Sequence, residues 1–244
     1  MIKRFKVVVK YLGTSYFGWQ KQPDVVTVQG RIEEVLSRLH NETVVIYGSG
    51  RTDAGVHAKH QVFHFDARSI MSLSKLKYTL NKMLPNDIEI IKINYVSFDF
   101  HARFSAKKKH YVYRIINKAK EPFNDNLYLL YPEKLNFSSF KIYIKLFEGE
   151  HNFANFTSKK EDERNFIRVI EKTYATKKGD VFEFHFIGEG FMHGQVRMMV
   201  GALLAANEGK ISKEDIENYL NPKERTIINY KSPAKGLYLE YVGY

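Results

Sequence analysis

Residues 50 to 58, GRTDAGVHA, place a carboxylate and a guanidinium two positions apart, Arg51 and Asp53, among Gly48, Gly50 and Gly55. Glycines at this density expose backbone and let a side chain stand clear of the end of a sheet. A carboxylate held that way can act as a nucleophile or as an acid or base, and the same composition also makes an ordinary Asp turn. A phosphate cradle lacks support, because neither G-x-x-x-x-G-K-[ST] nor G-x-G-x-x-G occurs. His57, His60 and His64 follow at close spacing, but strand alternation from Lys59 onward gives His60 and His64 no third ligand, so no metal is expected.

Two further positions have the makings of a site. In HYVYRI, alternation puts Tyr111 and Tyr113 on one strand face and Val112 on the other. From Phe191 to Ala206 the only formally charged residue is Arg197, set among Val196, Val200, Leu203 and Leu204. An arginine there either finds a partner or snorkels to water. Between Arg103 and Lys120 stand Arg103, Lys107, Lys108, Lys109, Arg114, Lys118 and Lys120 with no acid among them, a pattern suited to tracking a nucleic-acid backbone in a salt-sensitive way. Tyr16, Phe17 and Trp19 fit either an aromatic loop against RNA or a packed loop.

These residues need a scaffold. The 244 residues, 44% hydrophobic, suffice for one large domain or two small ones. The net charge of +11 favours a polyanionic partner, and the absence of cysteine excludes disulfides and thiolate ligands. In MIKRFKVVVKY, Lys6 and Lys10 interrupt the apolar run, so neither a signal segment nor a membrane span is expected, and the default location is the cytoplasm.

Periodicity predicts a strand over Phe5 to Tyr11, then a helix capped by Thr27, with Val28, Ile32, Val35, Leu36 and Leu39 on its apolar face and Arg31, Glu33, Glu34 and Arg38 mostly toward water. Strands at Thr43–Tyr47 and His60–Phe65 bracket the glycine loop, followed by a helix over Ser72–Met83 and a strand over Ile88–Ile93. The remainder reads as strand His110–Ile116, helix Phe137–Phe147, strands Ile167–Tyr174 and Val181–Ile187, helix Phe191–Ala206, a short helix near Ser212–Leu220 and a strand over Leu237–Val242. Lys118 to Asn126 reads as a polar connector and Ser158 to Asn165 as a mobile charged loop. The expected fold is α+β: two ferredoxin-like βαββαβ halves, residues 1–105 carrying Asp53 and 106–244 carrying Tyr111 and Arg197, joined into an extended mixed sheet with a central RNA-binding cleft.

The stretch GRTDAGVHAKHQVFHF resembles the catalytic region of the TruA family of tRNA pseudouridine synthases. The resemblance continues in order through YLGTSYFGWQKQP, TVQGRIEEVL, LNKMLPNDI, FHARFSAKKKHYVYRI, GEGFMHGQVRMMVGALL and SPAKGLYLEYV. It implies a cofactor-free isomerisation of uridine to pseudouridine at positions 38, 39 and 40 of the tRNA anticodon stem-loop, carried out by a homodimer. It also implies roles: Asp53 as the catalytic carboxylate, Arg51 as the arginine that flips and holds the nucleotide, Tyr111 as the surface for the target uracil, and Arg197 as the cation that keeps Asp53 ionised. Asn152, Gln195 and Met192 depart from the family pattern, where Asp, Met and Leu are usual.

Overall fold

The computed structural model describes residues 1–157 and 166–244; the charged stretch from Ser158 to Asn165 lies outside the described residues. The chain divides into two compact units, Met1–Lys107 with Leu239–Tyr244, and Lys108–Tyr238. The architecture is α+β, with ten strands and five α-helices among the described residues.

In the first unit the order is β1 (Ile2–Tyr11), α1 (Val28–His40), β2 (Tyr47–Gly48), β3 (His57–Arg68), α2 (Leu73–Met83) and β4 (Ile88–Val96). β1 lies antiparallel between β3 and β4, with Val7 opposite both Phe63 and Ile93. Phe5, Val7, Val9, Phe63 and Phe65 are buried, with Phe5 and Phe65 stacked at 4.7 Å, and α1 adds Val28, Ile32, Val35 and Leu36 to the core. The helix starts are set locally. Thr27 accepts the Gly30 N–H and Ser72 the Lys75 N–H, each satisfying a donor that a helix N-terminus leaves open.

The expected strand over Thr43–Tyr47 is reduced to Tyr47–Gly48, because side chains of α1 take the backbone groups that a strand partner would have used. Val44 N–H donates to Ser37 Oγ at 2.9 Å and Ile46 N–H to Glu33 Oε1 at 3.1 Å, while the Ile46 carbonyl accepts from Gln29 Nε2 at 3.1 Å. Glu33 is therefore buried, contrary to its expected place toward water, and its charge is met by Lys21 at 3.1 Å.

The second unit comprises β5 (Lys108–Ile116), β6 (Leu129–Leu130), α3 (Phe137–Tyr143), β7 (Gly149–Asn152), β8 (Ile167–Lys178), β9 (Val181–Gly188), α4 (Gln195–Asn207) and α5 (Lys213–Leu220). Strands run in the order β5-β9-β8-β7, all antiparallel, and the sheet is mixed because β6 runs parallel to β5. α5 opens with a capping box, Ser212 and Asp215 each accepting the other's backbone N–H. β10 (Leu237–Gly243) closes the chain, and from Leu239 onward its residues belong to the first unit.

Two helices are shorter than periodicity predicts. α3 gives way to a 3-10 turn at Ile144–Phe147, where the Thr173 hydroxyl donates to the Ile144 carbonyl at 2.8 Å. α4 begins at Gln195, not Phe191, because Gly194 adopts φ +72° and the Gln195 side chain turns back to accept the Met192 N–H at 2.8 Å.

The join between α2 and β4 gives a direct test. Asn81 donates to the Ile90 carbonyl at 3.0 Å and accepts the Ile90 N–H at 2.7 Å, and Ile90 is wholly buried. Asn81→Ala leaves two buried backbone groups unmet and is expected to cost about 2 kcal/mol in urea unfolding. A midpoint equal to that of the wild type would show that these bonds contribute nothing.

Candidate active site

Asp53 sits half-buried in the loop from β2 to β3, and its backbone is held from several sides. The Val56 N–H donates to the Asp53 carbonyl at 3.2 Å, the Trp19 N–H to the Thr52 carbonyl at 3.1 Å, and the Gly55 N–H to the Tyr16 carbonyl at 3.2 Å. Thr52 is buried, with its hydroxyl 2.8 Å from that of Tyr11, and burial raises the Tyr11 pKa, so that phenol stays neutral. The loop that follows β1 thus grips the Asp53 loop along its length.

Glycine makes the grip close. A Cβ on Gly18 would lie 2.5 Å from the Thr52 carbonyl oxygen and 3.1 Å from the Asp53 carbonyl carbon, and Gly18 has φ +85°, a conformation that favours glycine. A Cβ on Gly13 would fall 2.0 Å from the Val56 carbonyl oxygen. The Gly13 N–H in turn donates to His57 Nδ1 at 2.9 Å, so this wholly buried histidine locks the loop base. His64 Nδ1 likewise accepts the Ala102 N–H at 3.1 Å. Among the described residues no cluster of three or more His, Asp or Glu could hold a metal ion.

Arg51 is exposed, and its Nε donates to Gln20 Oε1 at 3.1 Å. Gln20 lies within the quoted stretch YLGTSYFGWQKQP but draws no notice there, since a glutamine among aromatics has no periodic or charge signature. Of those aromatics only Phe17 is exposed. Trp19 is buried between Tyr11 and Phe63 at 5.9 and 6.0 Å, and Tyr16 gives its hydroxyl to Asp87 at 2.6 Å. Two of the three aromatics belong to the packed loop.

Tyr111 and Arg197 lie in the second unit. Tyr111, on β5, is 8% exposed and meets Phe191 edge-on at 5.2 Å. Tyr113 shares its face, as alternation requires, and donates to the Pro233 carbonyl at 2.8 Å. Burial raises the Tyr113 pKa, which the nearby Ser232 and the Arg197 charge only partly oppose. Arg197 is half-buried on α4 and donates Nε to the Ser232 carbonyl at 2.8 Å, while the Ser232 N–H returns a bond to the Arg197 carbonyl at 3.0 Å. Such a lock fixes the guanidinium plane. Ser232 and Phe191 were not singled out by sequence, because a serine carbonyl carries no side-chain signal.

The basic segment is less free than its sequence suggests. It contains no acid, yet Lys108 meets Glu171 at 2.6 Å, Arg114 meets Glu183 at 2.8 Å and Lys118 meets Asp180 at 3.3 Å. The partners come from β8, β9 and the turn joining them, where a linear charge run cannot show them. Within the first unit, Arg103 and Lys107 are exposed and have no carboxylate partner among the described residues.

The family model described as tRNA pseudouridine synthase matches residues 7–105 and 143–244. The chain is 40% identical over 246 residues to "tRNA pseudouridine synthase A" of Geobacillus kaustophilus, spanning 100% of this chain and 95% of that protein. It is 38% identical over 245 residues to the protein of the same name in Streptococcus mutans, spanning 99% and 98%. Among solved structures, a chain of a Cbf5-Nop10-Gar1 complex is similar at TM-score 0.37 and 14% identity, over 82% of this chain and 44% of that chain.

The close approach of the two loops is testable by adding one methyl group. Gly18→Ala puts a Cβ against the Thr52 carbonyl in an unfavourable φ region and is expected to lower stability by about 1–3 kcal/mol. An unchanged unfolding midpoint would mean that the loops do not touch.

Proposed function

Because the chain belongs to the tRNA pseudouridine synthase family, we propose that it isomerises uridine to pseudouridine at positions 38, 39 and 40 of the tRNA anticodon stem-loop, with Asp53 as its catalytic carboxylate. The observation that carries the assignment is the Asp53 loop itself. Its backbone is fixed by the Trp19, Tyr16 and Val56 bonds and by the contact with Gly18, so the carboxylate is pre-positioned before substrate arrives.

The reaction breaks the N1–C1′ bond, turns the uracil and joins C5 to C1′. N1 gains a proton and C5 loses one, so the product is an isomer and no redox partner is required. A carboxylate serves this chemistry by bonding to carbon or by taking a proton, and each route needs it ionised. In this reading Arg197 supplies the balancing charge, its orientation set by the Ser232 carbonyl. Tyr111 supplies the surface for the uracil, and Arg51, held by Gln20, engages the displaced nucleotide. The enzyme works in the cytoplasm as a homodimer, and its surplus of basic residues, +11 overall, draws the tRNA backbone. No helix among the described residues is long and apolar enough to cross a membrane.

Asp53→Asn is expected to bind tRNA with wild-type affinity and to lower pseudouridine formation by roughly 10²–10⁴-fold or more. Turnover at the wild-type rate would remove Asp53 from the mechanism. Mapping pseudouridine in total RNA from cells with and without the protein should place the lost sites at positions 38 to 40 of tRNA, whereas loss confined to ribosomal RNA would reassign the substrate.

Tyr111→Phe keeps the ring and is expected to keep tRNA affinity, while Tyr111→Ala loses about tenfold. Equal affinity in both variants would exclude Tyr111 as a stacking surface.

A further inference from the structure

After β4 the chain makes a turn at residues 98–105 that holds an aromatic ring outward. Phe104 is 77% exposed, and one of its faces lies against His101, with ring centroids 4.4 Å apart. His101 continues to Tyr47 at 6.0 Å, and Tyr47, 52% exposed, stacks on His64 at 5.1 Å. The result is a continuous run of four rings from the buried face of β3 to the surface, ending in the exposed ring of Phe104.

The turn itself is heavily bonded. The His101 N–H donates to Ser105 Oγ at 3.0 Å and the Ser105 N–H to the His101 carbonyl at 2.9 Å. Ala102 gives its N–H to His64 and takes the Tyr244 hydroxyl on its carbonyl at 2.7 Å. Arg4, paired with Asp66 at 2.7 Å, also donates to the Phe98 and Phe100 carbonyls. His101 Nδ1 accepts the N–H groups of Arg103 and Phe104 at 3.2 and 3.4 Å, and burial with the nearby Arg4 and Arg103 charges lowers its pKa, so the ring stays neutral. These bonds fix the turn, so the exposed Phe104 ring is presented from a rigid base.

We propose that Phe104, with Arg103 and Lys107, seats an unpaired nucleotide of the substrate RNA other than the target uridine, the base against the exposed Phe104 ring and the phosphate on the two cations. This rests on the reading of the chain as a tRNA-modifying enzyme. Ring and charge together select the occupant. Arg103 lies 5.8 Å from the Phe104 ring and, like Lys107, has no carboxylate partner among the described residues, so the surface offers aromatic and cationic groups to a ligand that brings a π-face and an anion. A second copy of this chain would set the same cations against themselves. Tyr47 leads through Gly48 into the Asp53 loop, so the run of rings is tied by chain to the loop that carries Arg51.

The test compares wild type, Phe104→Leu and Phe104→Trp for binding to unmodified tRNA, for pseudouridine formation, for unfolding midpoint and for mass in sedimentation. Phe104→Leu is expected to bind tRNA about tenfold more weakly with an unchanged midpoint, and Phe104→Trp to restore affinity. Indole emission of the Phe104→Trp variant should fall on adding tRNA, while the one native tryptophan, Trp19, is buried. Wild-type affinity in Phe104→Leu overturns the platform, as does a loss of dimer mass with RNA affinity retained. If the wild type forms pseudouridine in tRNA and Phe104→Leu binds normally, only the platform fails. If the wild type modifies no tRNA yet Phe104→Leu weakens RNA binding, the platform stands and the substrate assignment fails.

Discussion

The first unit turns on a contact between two backbones, where the loop after β1 lies against the Asp53 loop with no room for a side chain at Gly13 or Gly18. The neighbouring side chains pack to the same close spacing. Trp19 can pass beneath Gly48 only because a Cβ on Gly48 would meet its indole nitrogen at 2.5 Å, and its burial between Tyr11 and Phe63 anchors the far side of the loop. The Tyr11 hydroxyl reaches Thr52, and His57 closes the base by accepting the Gly13 N–H. A side chain on a loop holds its place only if the backbone beneath it does, and this loop has no strand partner along most of its length. Backbone packed on backbone is what fixes it.

α4 uses the same device for Arg197. The helix is almost wholly buried, and a Cβ on Gly201 would lie 2.6 Å from the Tyr230 carbonyl group, so the segment leading to Ser232 runs directly over the helix. That approach brings the Ser232 carbonyl to the Arg197 Nε, one turn toward the N-terminus of α4 from Gly201. A half-buried guanidinium that gives its Nε–H to a fixed carbonyl is held in a defined plane. Here too a missing side chain sets the position of a charged one.

What was legible in the sequence was whatever depends on neighbours within a few positions. Thr27 caps α1 as its type and spacing predict, and Ser72 and Ser212, expected as the first residues of their helices, cap them instead, because capping is a bond across three residues. The helix faces followed from period, and Asp53 stood out through the glycines around it. Hidden were bonds that only the fold brings together: Glu33 and Gln29 satisfying the backbone at Ile46, Thr173 interrupting the helix at Ile144, and Glu171, Glu183 and Asp180 meeting the basic segment. Each joins groups at least ten residues apart through one side chain, a distance at which no pattern in the sequence records it. The charge run misled for the same reason, since its acids lie on other strands and in the turn joining them.

Tyr111 and Tyr113 show how far such local reasoning reaches. Alternation puts both on one face of β5, and both are buried there, yet their surroundings differ completely. Tyr113 gives its hydroxyl to the Pro233 carbonyl, and a Cβ on Gly236 would lie 2.7 Å from its ring, so it is enclosed by backbone and acts as a strut under the Ser232 turn that holds Arg197. Tyr111, two residues nearer the strand's start, meets the edge of Phe191, which belongs to the short segment ahead of α4 that Gly194 and Gln195 keep out of the helix. Had α4 begun at Phe191, that side chain would be set by helical geometry. Because the helix starts four residues later, Phe191 is positioned by a glycine turn, and the neighbour of Tyr111 is set by loop geometry while that of Tyr113 is set by backbone packing. The departure at Gln195 therefore bears on the environment of Tyr111, through the bond its side chain makes to the Met192 N–H.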